Sequence, residues 1–216
     1  MVTDWLSTTT AGGASMNRDD VEILERKTVC QSYFRIDRYV LRHRLFGGGW
    51  SETMFREVFE RGHSVVALLY DPHADAVALI EQFRAGAFAA GMAPWLIECV
   101  AGIVDEGETP EQVARREAIE EAGATIGRIE FVGKFLYSTG ACSEVCQAFV
   151  GEIDSSKAGG VHGLEDEHED IKTHIVPSAT AIGWLDDGTI TNAALIIALS
   201  WLARHHNALR QRWLKP

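Results

Sequence analysis

Residues 102–123 confine the fold more than any other part of the chain. Gly102-Ile103-Val104-Asp105-Glu106-Gly107-Glu108 reads as a glycine-bounded loop. Thr109-Pro110-Glu111-Gln112 then opens a helix: Thr109 suits the cap, Pro110 the first helical position, and Gln112 the position three beyond the cap. Gly123 supplies the stop. Within the helix Glu117, Glu120 and Glu121 stand at i, i+3 and i+4, so three carboxylates share one face. Like charges so placed repel, whereas a hard divalent cation prefers such oxygen ligands and reverses the sign of the interaction. A solvated acidic face is the plainer alternative for such a cluster.

The whole chain narrows the function classes. Its 216 residues are 46% hydrophobic and 24% charged, enough for a sizeable core. The net charge of −11 repels a polyphosphate backbone, which argues against nucleic acid as a partner while leaving room for small phosphorylated ligands beside a metal or placed arginines. Residues 88–104 form the most apolar long stretch, but Pro94, Glu98 and several glycines break it, so no membrane span is expected. Cys30, Cys99, Cys142 and Cys146 show neither a CxxC pair nor a disulfide-scaffold spacing. They are expected to be buried thiols in a reducing, cytoplasmic compartment. No phosphate-binding GxxxxGK[ST], HExxH or zinc spacing is present.

Three regions are expected. Residues 1–17, with a Thr/Ala/Gly/Ser tract and no basic-then-apolar leader, read as a flexible extension. Residues 18–62 read as a small antiparallel β-domain with strands at 29–33, 39–46 and 50–59, the last two joined by Gly47-Gly48-Gly49. Residues 63–210 read as the main α/β (α+β) domain. It opens with a hairpin, 64–70 and 76–82, and continues with strands at 95–101, 129–136 and 144–153 and helices at 178–185 and 192–206.

The spacing from Gly102 to Gly123, G-x5-E-x7-RE-x2-EE-x-G, resembles the Nudix box, the signature of Mg2+-dependent hydrolases of nucleoside diphosphates linked to another group. Ala118 and Ala124 replace two usually bulky aliphatic residues, a difference that bears on packing. The resemblance extends to Ile119-Glu120-Glu121-Ala122-Gly123, residues 38–46, Phe59-Glu60-Arg61-Gly62-His63 and Leu79-Ile80-Glu81-Gln82, which are similar to bacterial ADP-ribose pyrophosphatases over roughly residues 21–213. It implies a Nudix α/β/α sandwich with a mixed sheet, an N-terminal β-domain, a homodimer, and hydrolysis of ADP-ribose to AMP and ribose 5-phosphate.

The resemblance also assigns roles. Glu117 and Glu121 would ligate Mg2+, with Mn2+ as a substitute, Glu120 assisting and the Ala101 carbonyl completing part of the shell. Arg116 would pair with Glu108 and hold the loop against the helix within the catalytic machinery. A second acidic run, Glu165-Asp166-Glu167-His168-Glu169-Asp170, reads as a loop. There Glu167 takes the place of the general base and Glu169 that of a further metal ligand, with His168 an alternative base. Arg84, Arg56 and Tyr33 would bind the substrate, the arginines at phosphate or ribose and Tyr33 on adenine. Thr139 stands where this subfamily often carries proline, which keeps ADP-glucose and GDP-mannose as alternative substrates. A non-catalytic ADP-ribose sensor is the rival from another class; the retained Glu117, Glu120 and Glu121 count against it.

Overall fold

The computed structural model describes residues 16–215. The expected extension at 1–17 therefore falls almost wholly outside the described residues. The chain divides into two compact units, one comprising the chain up to His63 with Leu136–Val145, the other Ser64–Phe135 with Cys146 to the C-terminus.

In the first unit, β1 (Val21–Gln31), β2 (Arg35–His43) and β3 (Met54–Glu60) form an antiparallel sheet in that order. The expected strands at 29–33, 39–46 and 50–59 are displaced by several residues. Most of β1 is exposed, so its side chains show no clean inside-outside alternation from which to read its bounds. Gly48 and Gly49 take positive φ, 90° and 80°, in a loop closed by Leu45 and Gly49. Residues 138–144 pack along β3: the Phe59 N–H donates to Ala141 O at 2.8 Å, and Arg61 pairs with the buried Glu144 at 3.2 Å.

The second unit is built on β4 (Ser64–Asp71), whose eight residues are all buried. The strand alternates between two cores, as a strand covered on both faces must. Val66, Leu68 and Tyr70 face one core, with Leu195, Ala198, Leu199 and Leu202. Val65, Ala67 and Leu69 face the other, with Val113, Ala114, Ala118 and Ala122. Those helical residues belong to α4 (Ala193–Trp213) and α2 (Pro110–Ala122). Helices thus cover both faces of the sheet, the expected layering.

The main sheet is mixed. β5 (Ala76–Phe83) and β7 (Val100–Ile103) run antiparallel to β4, while β9 (Val145–Glu152) runs parallel to it. β8 (Ile129–Leu136) lies beyond β9, and β10 (Gly160–His162) with β11 (Ile171–Pro177) beyond β5. The expected strand at 95–101 is two strands, because the chain changes partner at Cys99: β6 (Trp95–Glu98) pairs with β5, and β7 with β4. The short α1 (Ala85–Ala89) was not anticipated. α3 (Ser178–Asp187) matches its expected place, but α4 continues past His206, since Leu209 and Trp213 continue the buried stripe beyond Leu202 at helical spacing. Cys99 and Cys146 are buried, whereas Cys142 is partly exposed and Cys30 exposed. This corrects the expectation of four buried thiols; Cys30 sits on the exposed β1. Among the described residues no helix is long and apolar enough to cross a membrane.

Candidate active site

The local sequence of α2 sets the geometry of the acidic cluster. Thr109 caps the helix reciprocally with Gln112, whose N–H donates to Thr109 Oγ1 at 3.3 Å while the Thr109 N–H donates to Gln112 Oε1 at 2.8 Å. Gly123 ends it at φ 63°. Val113, Ala114, Ala118 and Ala122 are buried toward the sheet, and this anchors the rotation of the helix. The small Ala118 and Ala124 are both buried there, so the two departures in the box are met by close packing.

Glu121 is buried at 2% exposure, and its Oε2 accepts the Ala101 N–H of β7 at 2.8 Å. Ala101 thus meets the cluster through its amide. Arg116 neutralises part of the acidic face. Its Nε donates to Glu108 at 3.2 Å, as expected, and its Nη1 reaches Glu117 and Glu120, each at 2.8 Å, two contacts not foreseen. These partners outweigh burial and raise the Arg116 pKa above its ordinary value. Gly102 borders the same space: a Cβ there would collide with the Glu117 carboxylate.

The second acidic run is a short 3-10 turn, Glu165–Glu167, between β10 and β11. Its base is held to α2 by the Gly163 N–H donating to Glu120 O at 3.2 Å and by Thr173 Oγ1 donating to Glu121 O at 3.3 Å. The half-buried Glu169 accepts the Leu164 N–H at 3.2 Å. Its charge adds to the upward push on the Glu117 and Glu121 carboxyls. The carboxylate of Glu167 is exposed, with the backbone N–H donating to Leu164 O at 3.1 Å. His168 follows it, exposed, at φ 58°.

Electrostatics distinguish these carboxylates from a solvated face. Burial, opposed by Arg116 and reinforced by Glu120 and Glu169, pushes the Glu117 carboxyl up to about 7. Burial, opposed by the Ala101 N–H and Arg84 and reinforced by Glu117 and Glu169, pushes Glu121 up to about 8. Among the described residues no three His, Cys, Asp or Glu side chains already converge as a metal cage. Each carboxylate is engaged by a donor instead: Glu117 and Glu120 by Arg116, Glu121 by Ala101, Glu169 by Leu164. The donor set still fits a hard divalent cation. All are oxygen ligands, and their mutual repulsion is what such an ion relieves.

Arg84 joins this neighbourhood through its charge on Glu121. Its guanidinium is held by Glu98, Nε at 2.8 Å and Nη2 at 2.7 Å. Glu98 is a site residue that sequence reasoning missed. A lone carboxylate within Trp95-Leu96-Ile97-Glu98-Cys99-Val100 was the available signal, since a buried charge requires partners. Arg56 and Tyr33 lie in the first unit. Arg56 is exposed, with Nη1 donating to Phe55 O at 2.8 Å, and Tyr33 is 91% exposed, edge-on to Phe34 with centroids 4.7 Å apart.

Residues 60–196 match the NUDIX domain. The chain is 49% identical over 199 residues to the ADP-ribose pyrophosphatase of Escherichia coli (strain K12), covering 92% of this chain and 95% of that relative. It is 39% identical over 200 residues to the ADP-ribose pyrophosphatase of Haemophilus influenzae, covering 91% of this chain and 92% of the relative. A GDP-mannose pyrophosphatase of Pectobacterium atrosepticum is 33% identical over 183 residues, covering 83% and 92%. A solved structure titled as an ADP compounds hydrolase superposes with a TM-score of 0.63 at 22% identity, covering 88% of this chain and 98% of that one, a likeness of fold.

Proposed function

The chain belongs to the NUDIX family, and from that membership we propose that it is a divalent-metal-dependent pyrophosphatase that hydrolyses ADP-ribose to AMP and ribose 5-phosphate. The observation that carries this reading is the cluster of the buried Glu121 with the half-buried Glu117 and Glu169, beside Arg116 and Arg84. The high identity to ADP-ribose pyrophosphatases over nearly the whole chain favours ADP-ribose over GDP-mannose.

Glu117, Glu120, Glu121 and Glu169, with the Ala101 carbonyl, would hold Mg2+, or Mn2+ in its place. When bound, the metal supplies positive charge to the pyrophosphate and lowers the pKa of water. The remaining work falls to the chain's own groups. Arg116 ties Glu108 on the loop to Glu117 and Glu120 on α2, so the cluster keeps its shape when one carboxylate changes partner. Arg84 presents a cation to the phosphates. Glu167, exposed on its turn, accepts the proton of the attacking water once the loop has closed over the substrate. Hydrolysis then breaks one P–O bond of the anhydride, leaving AMP on one side and ribose 5-phosphate on the other. Arg56 and Tyr33 are assigned to the substrate, and the homodimer to the protein, on the resemblance alone, and the cytoplasmic location on the cysteine spacing.

Substituting Glu121 by Gln tests the reading. The variant is expected to fold, because the amide keeps an acceptor for the Ala101 N–H, and to lose turnover by at least about a hundredfold. Retained activity would overturn the role given to this cluster.

A further inference from the structure

Glu98 is a buried carboxylate bonded to Arg84 that the proposed chemistry leaves unused. It ends β6, is 4% exposed, and has a donor on every side. Oε2 accepts from Arg84 Nε at 2.8 Å, Arg84 Nη2 at 2.7 Å and Gln82 Nε2 at 3.4 Å. Oε1 accepts from Asn192 Nδ2 at 2.6 Å. Asn192 is itself held, since its Oδ1 caps α4 by accepting the Leu195 N–H at 2.9 Å. A continuous chain of bonds therefore runs from the N-terminus of α4 through Asn192 and Glu98 to the guanidinium of Arg84.

Arg84 begins this chain where the fold gives it little other support. It follows β5 and precedes the five-residue α1, and its side chain is 42% exposed. A free arginine samples many rotamers and must be ordered when it binds an anion, which weakens binding. Glu98 engages the Nε and Nη2 edge, and Nη1 takes no part in that pairing. One edge is anchored, and 42% of the side chain stays exposed.

We propose that Glu98, locked by Asn192, is a positioning residue that fixes Arg84 for the phosphate groups of the substrate, so that binding strength at Arg84 is set partly by the cap of α4. The inference rests on the substrate role given to Arg84 above. Glutamine at 98 preserves volume but must turn an NH2 toward a donor, because all the groups around Glu98 donate. Serine at 192 keeps a good cap and removes the amide that reaches Glu98.

The test is kinetics of the full chain with Mg2+ and ADP-ribose for wild type, R84A, E98Q, the R84A/E98Q double variant and N192S, with Kd for ADP-ribose measured calorimetrically in EDTA on the same proteins. Expected are a rise in KM of about tenfold for E98Q and R84A with a smaller change in kcat, no further rise in the double variant, and about threefold for N192S, with Kd following KM. Equal effects of E98Q with and without Arg84, or a lowered Tm with KM and Kd unchanged, would overturn the proposal. Should E98Q fail to fold, unchanged KM and Kd in N192S overturn it alone. An inactive wild type counts against the pyrophosphatase reading, and the Kd comparison still decides the role of Glu98.

Discussion

The α-carbon of Gly102 lies directly against the Glu117 carboxylate, so that a Cβ at 102 would fall within the space the carboxylate occupies. The colliding atoms are the outer part of a flexible side chain, not backbone. Alanine at 102 is therefore expected to displace Glu117 at little cost to folding. G102A should lower stability by less than about 1.5 kcal/mol in a denaturant titration. Turnover should fall by at least about tenfold, because Glu117 is driven off its position. A large stability loss with activity intact would contradict this placement of Glu117.

Gly123 should behave in the opposite way. It sits at φ 63°, and a Cβ there would approach His162 Cε1 to 2.7 Å. G123A is expected to cost about 1–2 kcal/mol for the left-handed backbone alone, with more from the ring. In a H162A background the penalty should shrink, since only the ring contact is then relieved. Simple additivity in a double-mutant cycle would mean that His162 does not pack on this glycine.

Asp71 carries a pH dependence remote from the cluster. Burial raises its pKa, but the hydrogen bonds from Ser155 Oγ, at 2.6 Å, and from the amides of Ala74, Ser155 and His73 outweigh it and hold the carboxyl below its usual value. A group depressed in the folded state adds stability above its unfolded pKa, about 3.9, and that contribution disappears as pH falls through the folded value. D71N should lower stability at pH 7 by about 2 kcal/mol and flatten the decline below about pH 4. Chemical denaturation across pH 2.5–7, an interval of roughly this size around the carboxylate range, reads both effects.

Metal binding should be visible without turnover. Mg2+ bound only by the folded chain raises Tm in proportion to its saturation. Wild type is expected to gain a few degrees in Mg2+ over EDTA, about 1–3 kcal/mol of linkage, and E121Q to gain little. Equal gains would place the ion elsewhere.

The helix of the box was legible down to its caps because each end is marked by local chemistry: Thr109, Pro110 and Gln112 at the start, Gly123 at the stop. The strand β4 was legible because Val65 to Tyr70 are apolar without interruption. The strands of the first unit were misplaced where exposure on both faces erases the period, and α4 was cut short at His205-His206, which look like an end until Leu209 and Trp213 are seen to be buried. In the site, Glu117, Glu120 and Glu121 could be read from spacing. The reach of Arg116 to Glu117 and Glu120 spans only one and four residues, within what helical spacing offers, whereas the bonds from Asn192 through Glu98 to Arg84 join residues far apart in the chain. No local pattern encodes such contacts.

The central claim is tested most directly by incubating the purified chain with ADP-ribose, ADP-glucose and GDP-mannose in Mg2+, with and without chelator, and identifying the nucleotide products by chromatography. The account predicts AMP and ribose 5-phosphate from ADP-ribose in preference to the other two sugars, abolished by the chelator and restored by excess Mg2+. Turnover that persists in chelator, or a preference for GDP-mannose, would contradict it.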